Sequence, residues 1–350
     1  MKTTPVNDEV GGTVKYSVLE LFSGIGGMHY ALKRSGKRFR IVAALDINPV
    51  GNGIYNYNFG GEGECPVDVK NSNILGLTAE RIQQLGVNVI AMSPPCQPFT
   101  RNGTFKDLAD RRADPFVHLC DLLEHIPAVE FVLLENVKGF ERSQACELYK
   151  GKLTAAGFNF REYILSPHDF GVPNTRHRYY CVAKKGEFRG VPKTGIITEP
   201  NPRYVQPRIT VGDLLEPESE KTSKFLFKPD LLRKRLAIMD ICSPESVNSM
   251  CFTKAYTHYA EGTGSVFSPL SRVEFDNLYR KMEAETDEER KNVLRDQLRV
   301  RYFTPREVAR LMSFPEDFRF PPDATDKQCY RVLGNSINVL VVSSLFDELE

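Results

Sequence analysis

At 350 residues, 41% of them hydrophobic, the chain is long enough for one large and one smaller domain with ample core material. Its 46 basic and 45 acidic side chains leave a net charge of +1, which excludes a global electrostatic footprint for nucleic acid. Eight cysteines without a Cys-x-x-Cys pair or a Cys/His cluster exclude a zinc site of ordinary spacing; with no signal peptide and no apolar run of membrane length, the expectation is a reduced, intracellular, soluble protein.

Residues 1–15 are polar and read as a frayed tail. Tyr16 to Phe22 is a strand, Ser23-Gly-Ile-Gly-Gly27 a turn, and Met28 to Arg34 the start of a helix. A strand, glycine turn and helix make a cradle where backbone approaches a cofactor, although this one lacks the Gly-x-Gly-x-x-Gly dinucleotide spacing. Arg40 to Asp46 is a second strand ending in an acid. That acid suits either the ribose hydroxyls of a nucleotide or the N-cap of a helix starting near Pro49.

Val87 to Met92 is a short apolar run that reads as a buried strand, stopped by Pro94 and Pro95. Cys96 therefore follows on a rigid loop at a strand's carboxyl end, where open α/β sheets hold their chemistry. An arbitrary cysteine is a small buried hydrophobe, but a proline-rich Cys-Gln loop suits the aiming of a nucleophile better. Thr100 to Asp114 is polar and long enough for an active-site flap. Pro115 to Ile126 is a helix with Phe116, Leu119, Leu122 and Leu123 on one face.

Phe131 to Val137 is an apolar strand carrying Glu135 at its mouth, a costly place for a carboxylate without a task or a partner. A helix ends at Gly151 to Gly157, a strand and turn follow at Tyr163 to Asp169, and another strand at Tyr179 to Ala183. Arg176 and Arg178 alternate with His177, so extended chain would project both from one face. Pro192, Pro200, Pro202 and Pro207 mark a linker into a region with helical stretches at Asp230 to Met239 and Thr286 to Leu298. Within it, Ser249 to Lys254 reads as a strand and Tyr259 to Ser265 as a glycine-rich turn. Thr304, Pro305 and Glu307 spell a helix start with a capping box. Two runs are locally basic: Arg176 to Arg208, with eight Lys/Arg against two acids, and Arg290 to Arg310, with seven against two. A shared surface would make them a phosphate track.

Pro94-Pro95-Cys96-Gln97 resembles the nucleophile motif of the cytosine-5 methyltransferases. The longer Pro-Pro-Cys-Gln-Pro-Phe-Thr-Arg string resembles that family's tRNA branch, historically called DNA methyltransferase homologue two. Further matches stand in order along the chain from Tyr16 onward. Phe22-Ser-Gly-Ile-Gly-Gly27 resembles the S-adenosylmethionine motif, and Glu135-Asn-Val the acid motif, which Gly139-Phe140 extends toward the tRNA branch. Asn174-Thr175 precedes the arginine pair where members acting on DNA carry Gln. Cys251-Phe252-Thr253 and Glu261-Gly-Thr-Gly-Ser265 are similar to signature strings of the tRNA branch, and Gly334-Asn-Ser336 to the last family motif.

The resemblance implies an α/β fold, a doubly wound mixed sheet of the Rossmann-like methyltransferase type with a smaller target recognition domain. It implies a catalytic domain over residues 16–190, target recognition over 191–300, and a return to the catalytic domain over 301–350. For the cofactor S-adenosyl-L-methionine it implies Phe22, Gly24, Ile25, Gly26, Gly27, Asp46 at the ribose, Ile47 beside the adenine, Ser93, Asn335 and Ser336. Asn73 and Ile74 fall where the adenine amino group is contacted, although many relatives carry an acid there, and Asp68 lies five residues earlier.

The implied chemistry is addition of the Cys96 thiolate to carbon 6 of cytosine, which activates carbon 5 for methylation. Protonated Glu135 would bind ring nitrogen 3, with Arg178 and Arg176 over the base and its phosphates. The expected partner is tRNA, at an anticodon-loop cytosine, with weak DNA binding besides, for a monomer in the cytoplasm and also the nucleus. DNA as the main substrate, a nicotinamide oxidoreductase and a catalytically weak nucleic-acid binder are the competing readings.

Overall fold

Short apolar runs punctuated by glycine turns and capped helices dictate alternating strands and helices, and the computed structural model has that architecture. It describes residues 15–60, 68–95, 107–190, 195–259 and 261–350. The first half of the chain runs β1 (Tyr16–Leu21), α1 (Gly27–Ser35), β2 (Phe39–Asp46), α2 (Pro49–Phe59), β3 (Asp68–Asn71), α3 (Ala79–Gln84), β4 (Val89–Met92), α4 (Asp114–Leu122), β5 (Phe131–Val137), α5 (Gln144–Ala155), β6 (Asn159–Leu165) and β7 (Arg178–Lys184). Eight strands form one sheet in the order β3-β2-β1-β4-β5-β7-β6-β8, where β8 is Ile196–Ile197. β1 to β5 are parallel, while β7 runs antiparallel to both neighbours. The sheet is the expected doubly wound mixed one.

Strand alternation sorts the core into two layers. Val18, Ala44, Val89, Leu133 and Val182 face one side, covered by α1 and α2. Leu19, Leu45, Ile90, Leu134 and Cys181 face the other, covered by α3, α4 and α5. The chain leaves β1 toward β2 and β3, then returns to place β4 on the opposite side of β1. That reversal opens a crevice at the carboxyl ends of β1 and β4, the usual ligand position in such sheets.

The second half holds α6 (Glu220–Ser223), α7 (Pro229–Arg235), β9 (Ile241–Cys242), β10 (Val266–Phe267), α8 (Arg272–Ala284) and α9 (Glu288–Gln297). A third, smaller core joins Phe227, Leu232, Phe275, Met282, Leu294 and Val300 there. Then α10 (Pro305–Leu311), α11 (Asp326–Gly334) and α12 (Val339–Leu345) pack into the first core beside α1. Thr304 caps α10, with Glu307 bonding back to the Thr304 amide, as the sequence predicts. Residues 326–349 have the length and hydropathy of a membrane span, contrary to the sequence expectation of none; 67% of the apolar window is nevertheless buried within the protein.

Two local expectations change. Ser249 to Lys254 is no strand: it is irregular chain fastened by the Ser265 hydroxyl to Met250 and by the Thr263 carbonyl to Thr253. Pro200, Pro202 and Pro207 do not mark a clean exit from the catalytic domain either. β8 pairs with β6, and the amides of Gln206 and Ile209 bond to Phe170 and Gly171.

Candidate active site

Phe22 and Gly24 take φ of 54° and 52°, and Gly26 follows at 83°, so three left-handed residues fold the chain back between β1 and α1. A Cβ on Gly24 would meet nothing within 4 Å, whereas one on Gly26 would stand 2.6 Å from the Phe59 ring. Gly24 therefore borders open space, while Gly26 is pressed onto α2 and does not line the cavity. Gly27 lines it, and Ile337 approaches so closely that a Cβ there would lie 2.7 Å from its side chain.

The cavity beside this turn holds about 240 Å³. Phe22, Ile25, Asp46, Ile47, Ser93, Asn335 and Ser336 all border it, as do Glu135, Arg176 and Arg178. Asp46 Oδ2 accepts the Gly24 amide at 2.9 Å and Oδ1 the Asn48 amide at 2.7 Å. Burial raises the Asp46 pKa, while these amides and that of Ile47 oppose the rise. The helix-cap alternative fails, because Asn48 caps α2 by accepting the Val50 amide. Ile47 is 73% exposed at the rim. Asn73 and Ile74 are not brought to the cavity. Asn73 caps a turn through the Leu75 amide, and Ile74 is buried in the second core layer.

Ser93, Pro94 and Pro95 line the cavity where β4 ends, and the Asn136 amide donates to the Pro94 carbonyl at 3.4 Å. Cys96 and the first half of the expected flap, Thr100 to Lys106, lie outside the described residues. On the neighbouring strand Glu135 is buried, and burial raises its pKa against the pull of Arg178 and Arg176. Arg178 Nε stands 3.4 Å from Glu135 Oε1, so acid and guanidinium open together onto the cavity.

Arg176 does not match its expected part at the base and phosphates. It is 3% exposed, and its guanidinium donates to the carbonyls of Phe252, Gly334 and Ser336. It ties the segment after β9 to the turn after α11. Cys251, unremarkable as an isolated thiol in the sequence, has its Sγ 3.3 Å from Arg176 Nη1 and 3.7 Å from Arg178 Nη2. Burial opposes its thiolate, but the two guanidiniums prevail and its pKa is lowered; burial raises the Cys120, Cys146, Cys181, Cys242 and Cys329 thiols. Sequence reading also missed Ser23, whose buried Oγ has no partner among the described residues and borders the cavity. Its place inside the glycine turn was the available signal.

Curated relatives match nearly the whole chain in sequence. A Spodoptera frugiperda protein named tRNA (cytosine(38)-C(5))-methyltransferase is 42% identical over 335 residues, covering 95% of this chain and 98% of its own. A Bos taurus protein of the same name is 38% identical, covering 93% and 97%. The crystal structure of a Spodoptera frugiperda DNMT2 mutant superposes with a TM-score of 0.86 at 41% identity, covering 96% of this chain and 99% of that one. Residues 16–350 match the family described as C-5 cytosine-specific DNA methylase, and the chain belongs to that family.

Proposed function

We propose that this enzyme methylates carbon 5 of a cytosine in tRNA, with S-adenosylmethionine as methyl donor. The observation that carries the reading is one cavity bordered on one side by the glycine turn and Asp46, and on the other by Glu135 and Arg178. The residues fit the cofactor. Gly24 leaves open space where a side chain would stand, the Asp46 carboxylate offers its remaining acceptor capacity to ribose hydroxyls, and Ile47 is an uncovered apolar surface for an adenine ring. When bound, S-adenosylmethionine supplies an electrophilic methyl group.

Cys96 follows Pro95 at the mouth of the cavity in sequence, and its thiolate attacks carbon 6 of the target ring. Glu135, kept toward its acid form by burial, gives a hydrogen bond to ring nitrogen 3 and offsets the negative charge that develops there. Arg178 steadies the carbonyl side of the ring, and Arg176 holds the cavity wall rather than the substrate.

The tRNA assignment rests on the names of the relatives, which specify cytosine 38, and on the Asn174-Thr175 and Cys251-Phe252-Thr253 strings. An unpaired loop base is also less costly to extract than one in a duplex. Transfer of labelled methyl from S-adenosylmethionine, with total tRNA and duplex DNA compared at matched salt, tests it. Label should enter tRNA preferentially, and equal labelling of DNA would overturn the substrate assignment.

A further inference from the structure

Glu20 is the next-to-last residue of β1, fully buried, on the layer that faces α1 and α2. A buried carboxyl without a cationic partner is costly, so its surroundings call for a reason. The Tyr55 hydroxyl lies 2.8 Å from Glu20 Oε2 and 2.9 Å from His29 Nδ1. The amides of Met28 and His29 act on the carboxyl, but Oε1 makes no side-chain hydrogen bond of ordinary geometry among the described residues. These three side chains join β1, α2 and α1 directly beneath the glycine turn. The rings of Tyr55 and Phe59 form its floor, because a Cβ on Gly26 would be 3.2 Å from Tyr55 and 2.6 Å from Phe59. The first turn of α2 touches it as well: a Cβ on Gly51 would be 3.1 Å from the Gly24 carbonyl.

We infer that Glu20 is a positioning residue for the cofactor turn, and that Glu20, Tyr55 and His29 form a buried relay coupling cofactor affinity to one proton. The inference rests on the S-adenosylmethionine reading above. The relay has two complete states. With Glu20 ionised, Tyr55 donates to Glu20 and accepts from His29 Nδ1–H. With Glu20 protonated, the acid donates to Tyr55, and Tyr55 donates to His29 Nδ1, the ring proton having moved to Nε2 through exchange with solvent. The imidazole stays neutral in both, and one proton is gained overall, on the carboxyl.

Burial pushes the Glu20 pKa up to about 8, opposed by the Tyr55 hydroxyl and the two amides and assisted by the Asp46 charge on β2. His29 is pushed down to about 3 by burial and by Lys33 on its own helix. The facing positions of β4 and α12 carry no ionisable side chain. S-adenosylmethionine brings a sulfonium cation to the cavity, which favours the ionised carboxyl. By reciprocity, ionised Glu20 favours the cofactor.

The test is calorimetric affinity for S-adenosylmethionine from pH 6.5 to 9, comparing the native protein with Glu20→Gln. Glutamine imitates the neutral acid and still accepts from Tyr55. The ligand's own amino group titrates in this range too, but equally for both proteins, so the ratio of their dissociation constants isolates Glu20. The ratio should be near one at pH 6.5, with the native protein tighter at pH 9 by up to about tenfold for each pK unit that the cofactor shifts the carboxyl. S-adenosylhomocysteine, without the sulfonium charge, should give a smaller change.

Tyr55→Phe removes a bond that favours ionisation, so its transition should move to higher pH. Melting temperatures supply a reading without ligand. A carboxyl raised from 4.5 to about 8 weakens the native fold progressively as pH rises through that window, and Glu20→Gln should lack this loss. A dissociation-constant ratio that is independent of pH overturns the inference alone. Failure of the native protein to bind S-adenosylmethionine at all overturns the cofactor reading and the inference with it.

Discussion

Two arginines two residues apart do different work in this site. Arg178 faces Glu135 across 3.4 Å at the cavity, whereas Arg176 is buried among three carbonyls from segments far away in sequence. Arg176→Ala should therefore unfold the region, leaving buried carbonyls without donors at a cost of about 3 kcal/mol or more, read as a lowered melting temperature. Arg178→Ala should leave melting almost unchanged and lower kcat by about 10²-fold or more, because its charge serves the reacting ring. Equal melting temperatures for the two variants would contradict this division. The nucleophile has its own signature: Cys96→Ala should abolish turnover with cofactor affinity intact, and the native protein should trap a 5-fluorocytosine RNA as a covalent adduct that the variant cannot form. A residual rate within about 10²-fold of native would mean an acid–base role instead.

At the scale of elements, the cavity is a meeting of strand ends with one returning helix. β1, β2, β4 and β5 deliver Phe22, Asp46, Ser93 and Glu135 by their shared direction, and antiparallel β7 delivers Arg178 because its amino end lies at that same edge. The end of α11 and the turn after it close the remaining side, and the last residue of the helix, Gly334, has no spare room. A Cβ on Gly334 would stand 2.1 Å from the Lys254 amide nitrogen and 2.2 Å from the Thr253 carbonyl carbon. Backbone on both sides cannot yield cheaply, so Gly334→Ala should push these segments apart. The expected result is a raised KM for cofactor and RNA together with a lower melting temperature, measured by steady-state kinetics and thermal melts. Unchanged kinetics would show that the two segments need no such contact.

For the whole molecule, the local basic runs divide differently from their order in the sequence. Within the second run, Arg295 and Arg301 are buried, Arg301 pairs with Glu307 at 2.8 Å, and Arg310 with Glu316 at 2.7 Å. Much of that run is internal fastening rather than a phosphate track. In the first run, β7 carries Lys184 roughly 20 Å from Arg178, at the sheet edge away from the cavity. Arg208 instead is exposed and adjoins Ile209, which is bonded to Gly171 beyond the carboxyl end of β6, the sheet edge that also carries Arg178. Arg208→Glu should raise the KM for tRNA and lower the salt slope by about one phosphate contact, while Lys185→Glu should change neither. Similar effects from both would mean that RNA covers a far larger face than the cavity rim.

The sequence by itself determined what is local. The strand–glycine turn–helix of residues 16–35, the capped start of α10, and Glu135 at the end of an apolar strand are set by neighbours within a few residues, as were the family motifs. Tertiary structure decided whatever depends on partners distant in the chain. Asp46 is relieved of capping because Asn48 takes that task, and Asn73 turns away from the cavity to cap its own loop. Cys251 meets the arginines across 75 and 73 residues, and Glu20 meets Tyr55 across 35. Periodicity reports which side of an element is buried, but not which charge or hydroxyl waits on the element packed against it.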